Sequence, residues 1–300
     1  MATRQIILGA VHVEITSSIL NFRISLIEIE TLRPHEEVID SVAKSLANDI
    51  RIEGVVRDPL IVDQDKYVIL DGMHRFSSLK SLNCRFAPCC LVDYDNPLIK
   101  VGSWFRTFSV KDPESIAEKL LTDTHLDYSR EKIKLEEWKY NPETIILTGG
   151  MQFSLPKTTD LLEGAKTAVR LEEAMLRRVQ RVDYCSESLS IHHLRSGDAD
   201  LVITLPVFTK QEIIDFALRR ILLPHKTTRH VMPSRPMRLD IPLHILKDSN
   251  INLAEADTML RQLLMQRYVN RKPPGSIVDG RRYDEELLIF TTQLASNMES

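Results

Sequence analysis

No apolar run in this 300-residue chain reaches the roughly 18 residues that a membrane-spanning helix needs, so no lipid-spanning role is expected. A long block of Lys or Arg is also missing. The 39 basic and 42 acidic side chains leave a formal net charge of −3, which withholds the electrostatic footprint of a duplex-DNA binder while allowing a small anionic ligand in a local basic pocket. Cysteine is scarce. Four residues, two of them adjacent at Cys89 and Cys90, make no disulfide framework and fit a reducing compartment. Cys84, Cys89 and Cys90 could be read as a metal cluster, but the adjacent pair falls in an expected strand whose side chains point to opposite faces, which favours buried, apolar-like cysteines. The apolar start Ile6 to Val11 is broken by His12 and Glu14 before a signal-peptide core develops, so a cytoplasmic location is expected. Internal repeats and low-complexity tracts are absent as well.

What is present is a globular composition, 43% hydrophobic and 27% charged, in a chain long enough for two domains. The first third predicts an α/β unit: strand Phe22 to Ile27, helix Val38 to Asn48, strands Pro59 to Val62 and Tyr67 to Leu70, helix Phe76 to Leu82, strand Ala87 to Val92. In the first helix Val38, Ile39, Val42, Leu46 and Ile50 recur at helical spacing and predict one buried face. Beyond about Pro113 a second α/β domain is expected, with helices Ser115 to Leu121 and Leu161 to Val182 and strands Thr144 to Leu147, Asp183 to Cys185 and Ala199 to Leu205. The stretch Pro224 to His230 reads as a basic loop without regular structure. A helix Leu253 to Tyr268, amphipathic and expected to pack on the body of the protein rather than on a second copy, and a strand Glu285 to Thr292 close the chain. The domains are drawn at 1–110, 111–240 and 241–300.

The chemistry concentrates in Asp71-Gly72-Met73-His74-Arg75, where an apolar strand gives way to a helix. Glycine lets the backbone approach a ligand, the first helical N–H groups point at it, and His74 and Arg75 are expected to reinforce the positive end of the dipole. That is a phosphate cradle, although Asp-Gly is also a common turn dipeptide. Asp71 would repel phosphate unless it binds the magnesium that accompanies a nucleotide or orients His74 and Arg75 by hydrogen bonds. Leu32 to Glu37 presents His35 and Glu36 from a turn pinned by Pro34. A carboxylate such as Glu36 can accept a hydroxyl proton during phosphoryl transfer, whereas Glu37 reads as a dipole partner of the first turn. In Ser103-Trp104-Phe105 one aromatic is expected in the core and the other at a ligand. Lys226 to His230 gathers two threonine hydroxyls, a guanidinium and an imidazole suited to a carboxylate or phosphate.

These residues resemble a known family. The stretch from about Leu26 to Tyr94 is similar to the ParB/sulfiredoxin fold, and within it to the free serine kinases that make O-phospho-L-serine from L-serine. Three elements carry the likeness in the same order: Arg33-Pro34-His35-Glu36, the Asp71 to Arg75 turn, and Lys226-Thr227-Thr228-Arg229-His230-Val231. The C-terminal extension resembles that of the siderophore-associated serine kinases around Asp240-Ile241-Pro242-Leu243. The resemblance implies an α/β (α+β) protein with an active-site cleft between its ParB/sulfiredoxin-like domain and a second α/β domain. It implies Glu36 as base and Asp71 as a second catalytic residue, the one expected to bind magnesium. Gly72, Met73, His74 and Arg75 would hold nucleotide phosphates, with Met73, a departure from the histidine of many relatives, contributing its backbone. Trp104, Thr227, Thr228, Arg229 and His230 would hold serine or its product. ATP or ADP would be the donor, and the monomer or dimer would bind neither nucleic acid nor membrane. Sulfiredoxin chemistry is excluded because Met73 stands where its reactive cysteine would be. The alternative function is a nucleotide-binding, ParB-like DNA-binding or regulatory protein without kinase activity, which would need a helix-turn-helix and a basic surface that the sequence does not show.

Overall fold

The computed structural model describes residues 6–8, 13–16, 21–141, 144–156 and 160–292. Part of the N-terminal apolar run and His12 lie outside them. The chain forms two compact units. One gathers residues 1–100, 214–221 and 230–300, and the other 101–213 and 222–229. The residues after 240, drawn above as a separate extension, thus group with the N-terminal part.

The first unit is built on a sheet in the order Ile6–Leu8, Val13–Thr16, Asn21–Glu28, Phe86–Val92, Leu60–Asp63, Ile69–Asp71, with only the Leu60–Asp63 and Phe86–Val92 pair parallel. Phe86–Val92 is central, and all seven of its residues are buried. Cys84, Cys89 and Cys90 are free and buried, and burial pushes the Cys84 thiol up to about 11, so none is poised as a nucleophile. The first helix, Asp40–Glu53, buries Ala43, Ala47 and Ile50; of the expected stripe Ile50 is in the core, Val38, Ile39 and Leu46 are half-buried, and Val42 is 46% exposed. Alanine decides this face because the helix Met73–Ser81 comes close enough for Ser78 Oγ to donate to Ala43 O at 2.8 Å. A larger side chain there would hold the backbones apart.

The C-terminal residues complete this unit. Ile241–Pro242 pairs antiparallel with Val55–Val56, so the Asp240 to Leu243 motif is a structural clasp. The helix Leu253–Met265 starts with a capping box of Asn252 and Glu255 and packs inward, where Asp257 Oδ1 accepts from Ser25 Oγ and Leu26 N. It ends before the expected Tyr268, which opens the strand Tyr268–Lys272 of a small sheet with Glu286–Thr291 and Ser234–Met237.

In the second unit the strands Asp183–Ser186, Lys100–Phe108, Leu201–Ile203, Thr144–Thr148, Met151–Ser154 and Ser129–Lys132 run antiparallel in that order. Alternation along Lys100–Phe108 sends Phe108 to a core with Leu120, Leu171 and Met175, and Phe105 to the opposite core with Ile191 and Leu194. The helix Leu161–Leu176 stops short of the expected Val182, in a stretch with no Gly or Pro to mark the end. Thr228–Val231 is a strand, which corrects the reading of Pro224 to His230 as wholly irregular. Its β-branched Thr228 and Val231 suit a pleated surface, and composition alone masks this among basic neighbours.

Candidate active site

The phosphate turn of the first unit is tighter than expected. The strand Ile69–Asp71 passes through Gly72 at φ 100° directly into the helix Met73–Ser81, three residues before the anticipated start. The first helical bond runs from Phe76 N–H to Gly72 O at 2.8 Å, which leaves the N–H groups of Met73, His74 and Arg75 ahead of the ladder. The Met73 side chain is buried, which leaves the backbone N–H as the group this residue has ahead of the ladder. A Cβ on Gly72 would lie 2.7 Å from Leu60 Cδ2 and 2.8 Å from Arg75 Nη1. Gly72→Ala therefore combines strain at positive φ with a clash against a packed neighbour. The expected result is a loss of about 1–3 kcal/mol in stability, read by urea unfolding, and nucleotide affinity lowered by about tenfold or more in calorimetry.

The side chains around the turn are held by partners far along the chain. Arg75 Nη1 donates to Pro59 O at 2.9 Å and its Nη2 stands 4.0 Å from Asp58. His74 Nε2 accepts the Ile39 N–H at 3.1 Å, at the start of the helix Asp40–Glu53. That bond engages the His74 ring with the backbone at the start of this helix. Asp71 Oδ2 accepts from Arg235 Nη1 at 2.7 Å, and Arg235 Nε donates to Glu285 Oε1 at 2.8 Å. Desolvation draws the Asp71 carboxyl upward, but the charges of Arg235 and Arg75 overrule it and hold it well below the usual carboxylate range.

Glu36 reaches this end of the sheet by register. Arg33 bridges Val68 in parallel, with Arg33 N–H donating to Tyr67 O and Ile69 N–H to Arg33 O. Both segments run the same way, so three residues further on one arrives at Glu36 and the other at Asp71. Between them His35 is buried and its Nδ1–H donates to Ile69 O at 2.8 Å, locking the segment that carries half-buried Glu36. Glu37 is exposed and lies ahead of the helix, which begins at Asp40, so Asp40 rather than Glu37 is the acid of the first turn.

Burial pushes the His35 imidazole down from 6.5 to about 4, against the opposing pull of the Ile69 carbonyl. The unfolded chain therefore binds an extra proton between those values, and stability contributed by neutral His35 is lost as pH falls from 6.5 toward 4. The expected loss is about 3 kcal/mol. Urea midpoints at neutral pH and at pH about 5 should converge in His35→Gln, and an unchanged acid slope would remove His35 as its source.

His230, expected at the substrate, is the first residue of the segment that returns the chain to the first unit. Its Nε2 lies 2.7 Å from the Tyr94 hydroxyl and its ring meets His35 edge-on at 5.4 Å. Burial pushes the Tyr94 phenol up, so the hydroxyl stays protonated and shares this hydrogen bond with His230 Nε2. Tyr94 and Arg235 both escaped the sequence reading, since neither stands in a motif.

The remaining candidates lie in the second unit. Trp104 is half-buried while its neighbour Phe105 is fully buried, so Phe105 is the aromatic of the pair that goes to the core. Lys226 Nζ and Arg229 Cζ sit 5.6 and 5.4 Å from the Trp104 ring centroid. Thr227 is fully buried and its hydroxyl donates to Pro224 O at 2.7 Å, so it braces the loop, and Thr228 beside it is also buried. Beneath the loop runs fully buried Arg106. It donates to Trp104 O at 2.8 Å, Lys226 O at 3.0 Å and His225 O at 3.1 Å, and its Nε pairs with Glu172 Oε2 at 2.8 Å. Burial alone would raise the Glu172 carboxyl. The polar groups of His225, Arg106 and Tyr184 outweigh it and hold it at about 2.

Among the described residues no group of three or more His, Cys, Asp or Glu is set to hold a metal, and no helix is long and apolar enough to cross a membrane. No family model matches the chain. It is 25% identical over 225 residues to the ADP-dependent L-serine kinase SerK of Thermococcus kodakarensis, a match covering 73% of this chain and 91% of that one. It is 29% identical over 237 residues to the ATP-dependent L-serine kinase of Staphylothermus marinus, covering 74% and 90%. The solved structure of a free serine kinase in complex with AMP superposes with a TM-score of 0.62 at 23% identity, over 77% of this chain and 95% of that one. The chain therefore shares the mixed helix and strand fold of a free serine kinase and is a homologue, at 25–29% identity over most of its length, of proteins named L-serine kinases.

Proposed function

We propose that this chain is a kinase that transfers a phosphoryl group from ATP or ADP to the hydroxyl of free L-serine, giving O-phospho-L-serine. The observation that carries the reading is the Asp71-Gly72 turn, whose glycine conformation opens three helical N–H groups toward an anion in a chain homologous to named L-serine kinases. Phosphoryl transfer asks a protein chiefly to align donor and acceptor and to neutralise charge. Met73, His74 and Arg75 offer N–H donors to nucleotide phosphates, and Glu36 accepts the serine hydroxyl proton as the new O–P bond forms. Arg229 takes the serine carboxylate beside Trp104, with His230 next to it in the chain.

Magnesium fits this donor set. In nucleotide sites it is held by one or two carboxylates together with phosphate oxygens, so an all-protein cage is not required. Asp71 is ionised, 40% exposed, and has one oxygen engaged by Arg235, which makes it the residue that would hold the ion. When bound there, magnesium would supply charge neutralisation for the transferring phosphate. The product would enter amino-acid chemistry, such as cysteine or siderophore synthesis, in the cytoplasm.

Incubation with L-serine, magnesium and either ATP or ADP, followed by detection of O-phosphoserine, tests the proposal. Absence of product with both donors would sink it.

A further inference from the structure

An aspartate opens a turn built for phosphate, and an incoming nucleotide would meet its like charge. Arg235 meets that difficulty inside the protein. It lies 164 positions along the chain from Asp71. The strand Ser234–Met237 brings it there by pairing in parallel with Glu286–Thr291, Arg235 opposite Leu287. Its side chain is 15% exposed, with Nη1 on Asp71 Oδ2 and Nε on Glu285 Oε1. Around the turn the charges balance: Arg75 and Arg235 against Asp71 and Glu285, with Asp58 4.0 Å from Arg75 and Arg281 acting on Asp71 from further away.

We propose that Arg235 is the resident counter-cation of the phosphate turn, a positioning residue that cancels the charge of Asp71 and fixes its Oδ2 so that nucleotide phosphate can reach the helix N-terminus before any divalent ion arrives. This rests on the kinase reading. One charge a few ångströms from a phosphate changes affinity by about tenfold or more at a partly screened site. Glu285 has the opposite sign of effect, since it draws charge from Arg235.

Calorimetric titration of ADP into the wild-type chain, Arg235→Met, Arg235→Lys and Glu285→Gln, each with excess magnesium and with a chelator, separates this role from a structural strut. Arg235→Met is expected to lose about tenfold or more in affinity under chelation but less than about threefold with magnesium, because the ion takes over neutralisation. Arg235→Lys should keep most of the magnesium-free affinity, and Glu285→Gln should bind as tightly as wild type or more tightly. Equal losses in Arg235→Met with and without magnesium would overturn the inference while leaving the kinase reading intact. Should Arg235→Met not fold, Glu285→Gln decides, since weaker magnesium-free binding there is the result the counter-cation role forbids. A wild-type chain that binds no ADP under either condition would overturn both.

Discussion

Glu36→Gln is expected to lower the production of O-phosphoserine by about 100-fold to 10,000-fold while leaving nucleotide affinity within a few-fold of wild type. The amide keeps the size and half-buried position of the side chain but cannot accept the serine proton. His35, locked on Ile69 O, continues to fix the segment, so the loss would be read in turnover and not in folding. Single-turnover measurements with saturating L-serine separate the chemical step from binding. Full activity in Glu36→Gln would take the base role away from this residue. A parallel rise in the nucleotide dissociation constant would instead assign Glu36 to positioning the donor.

The second large effect concerns the loop of the second unit. Arg106 is fully buried, and three of its hydrogen bonds end on backbone carbonyls of Trp104, His225 and Lys226. Glu172 alone balances its charge with a direct ion pair among the described contacts. Glu172→Ala should cost about 3–5 kcal/mol, because a guanidinium deprived of its carboxylate stays desolvated. Urea unfolding measures this directly. Replacing both partners, Arg106→Met with Glu172→Met, should recover much of the stability, since packed apolar side chains remove the unpaired charge. Turnover should remain low in the double variant because the carbonyls of the loop are no longer held. A double variant with both stability and activity restored would show that the pair does not shape the loop.

Particular elements show where the sequence sufficed. The Asp71 to Arg75 turn was legible because glycine is needed at positive φ and the residues after it begin a helix, both local requirements. That one of Trp104 and Phe105 would be core was legible from their size, but which one was decided by the strand Lys100–Phe108, whose alternation buries Phe105. The burial of Cys89 and Cys90 followed from the same alternation in a continuous apolar run. Periodicity found Ile50 on the buried face of Asp40–Glu53 but missed Ala43 and Ala47, because it scores hydrophobicity whereas the close contact selected small alanines. The ends of Leu161–Leu176 and Leu253–Met265 were overrun because no glycine or proline stands there.

By itself, then, the sequence determined the class of ligand. Backbone conformation, helix polarity and side-chain chemistry in Asp71-Gly72-Met73-His74-Arg75 are properties of neighbours along the chain, and the proposal of an anionic ligand rests on them. Tertiary structure alone decided the electrostatic balance of that turn and the rigidity of the loop. Arg235 reaches Asp71 from 164 positions away, and Glu172 reaches Arg106 from 66. Coulomb energy depends on separation in space and on burial, neither of which is written in the spacing of residues along a chain.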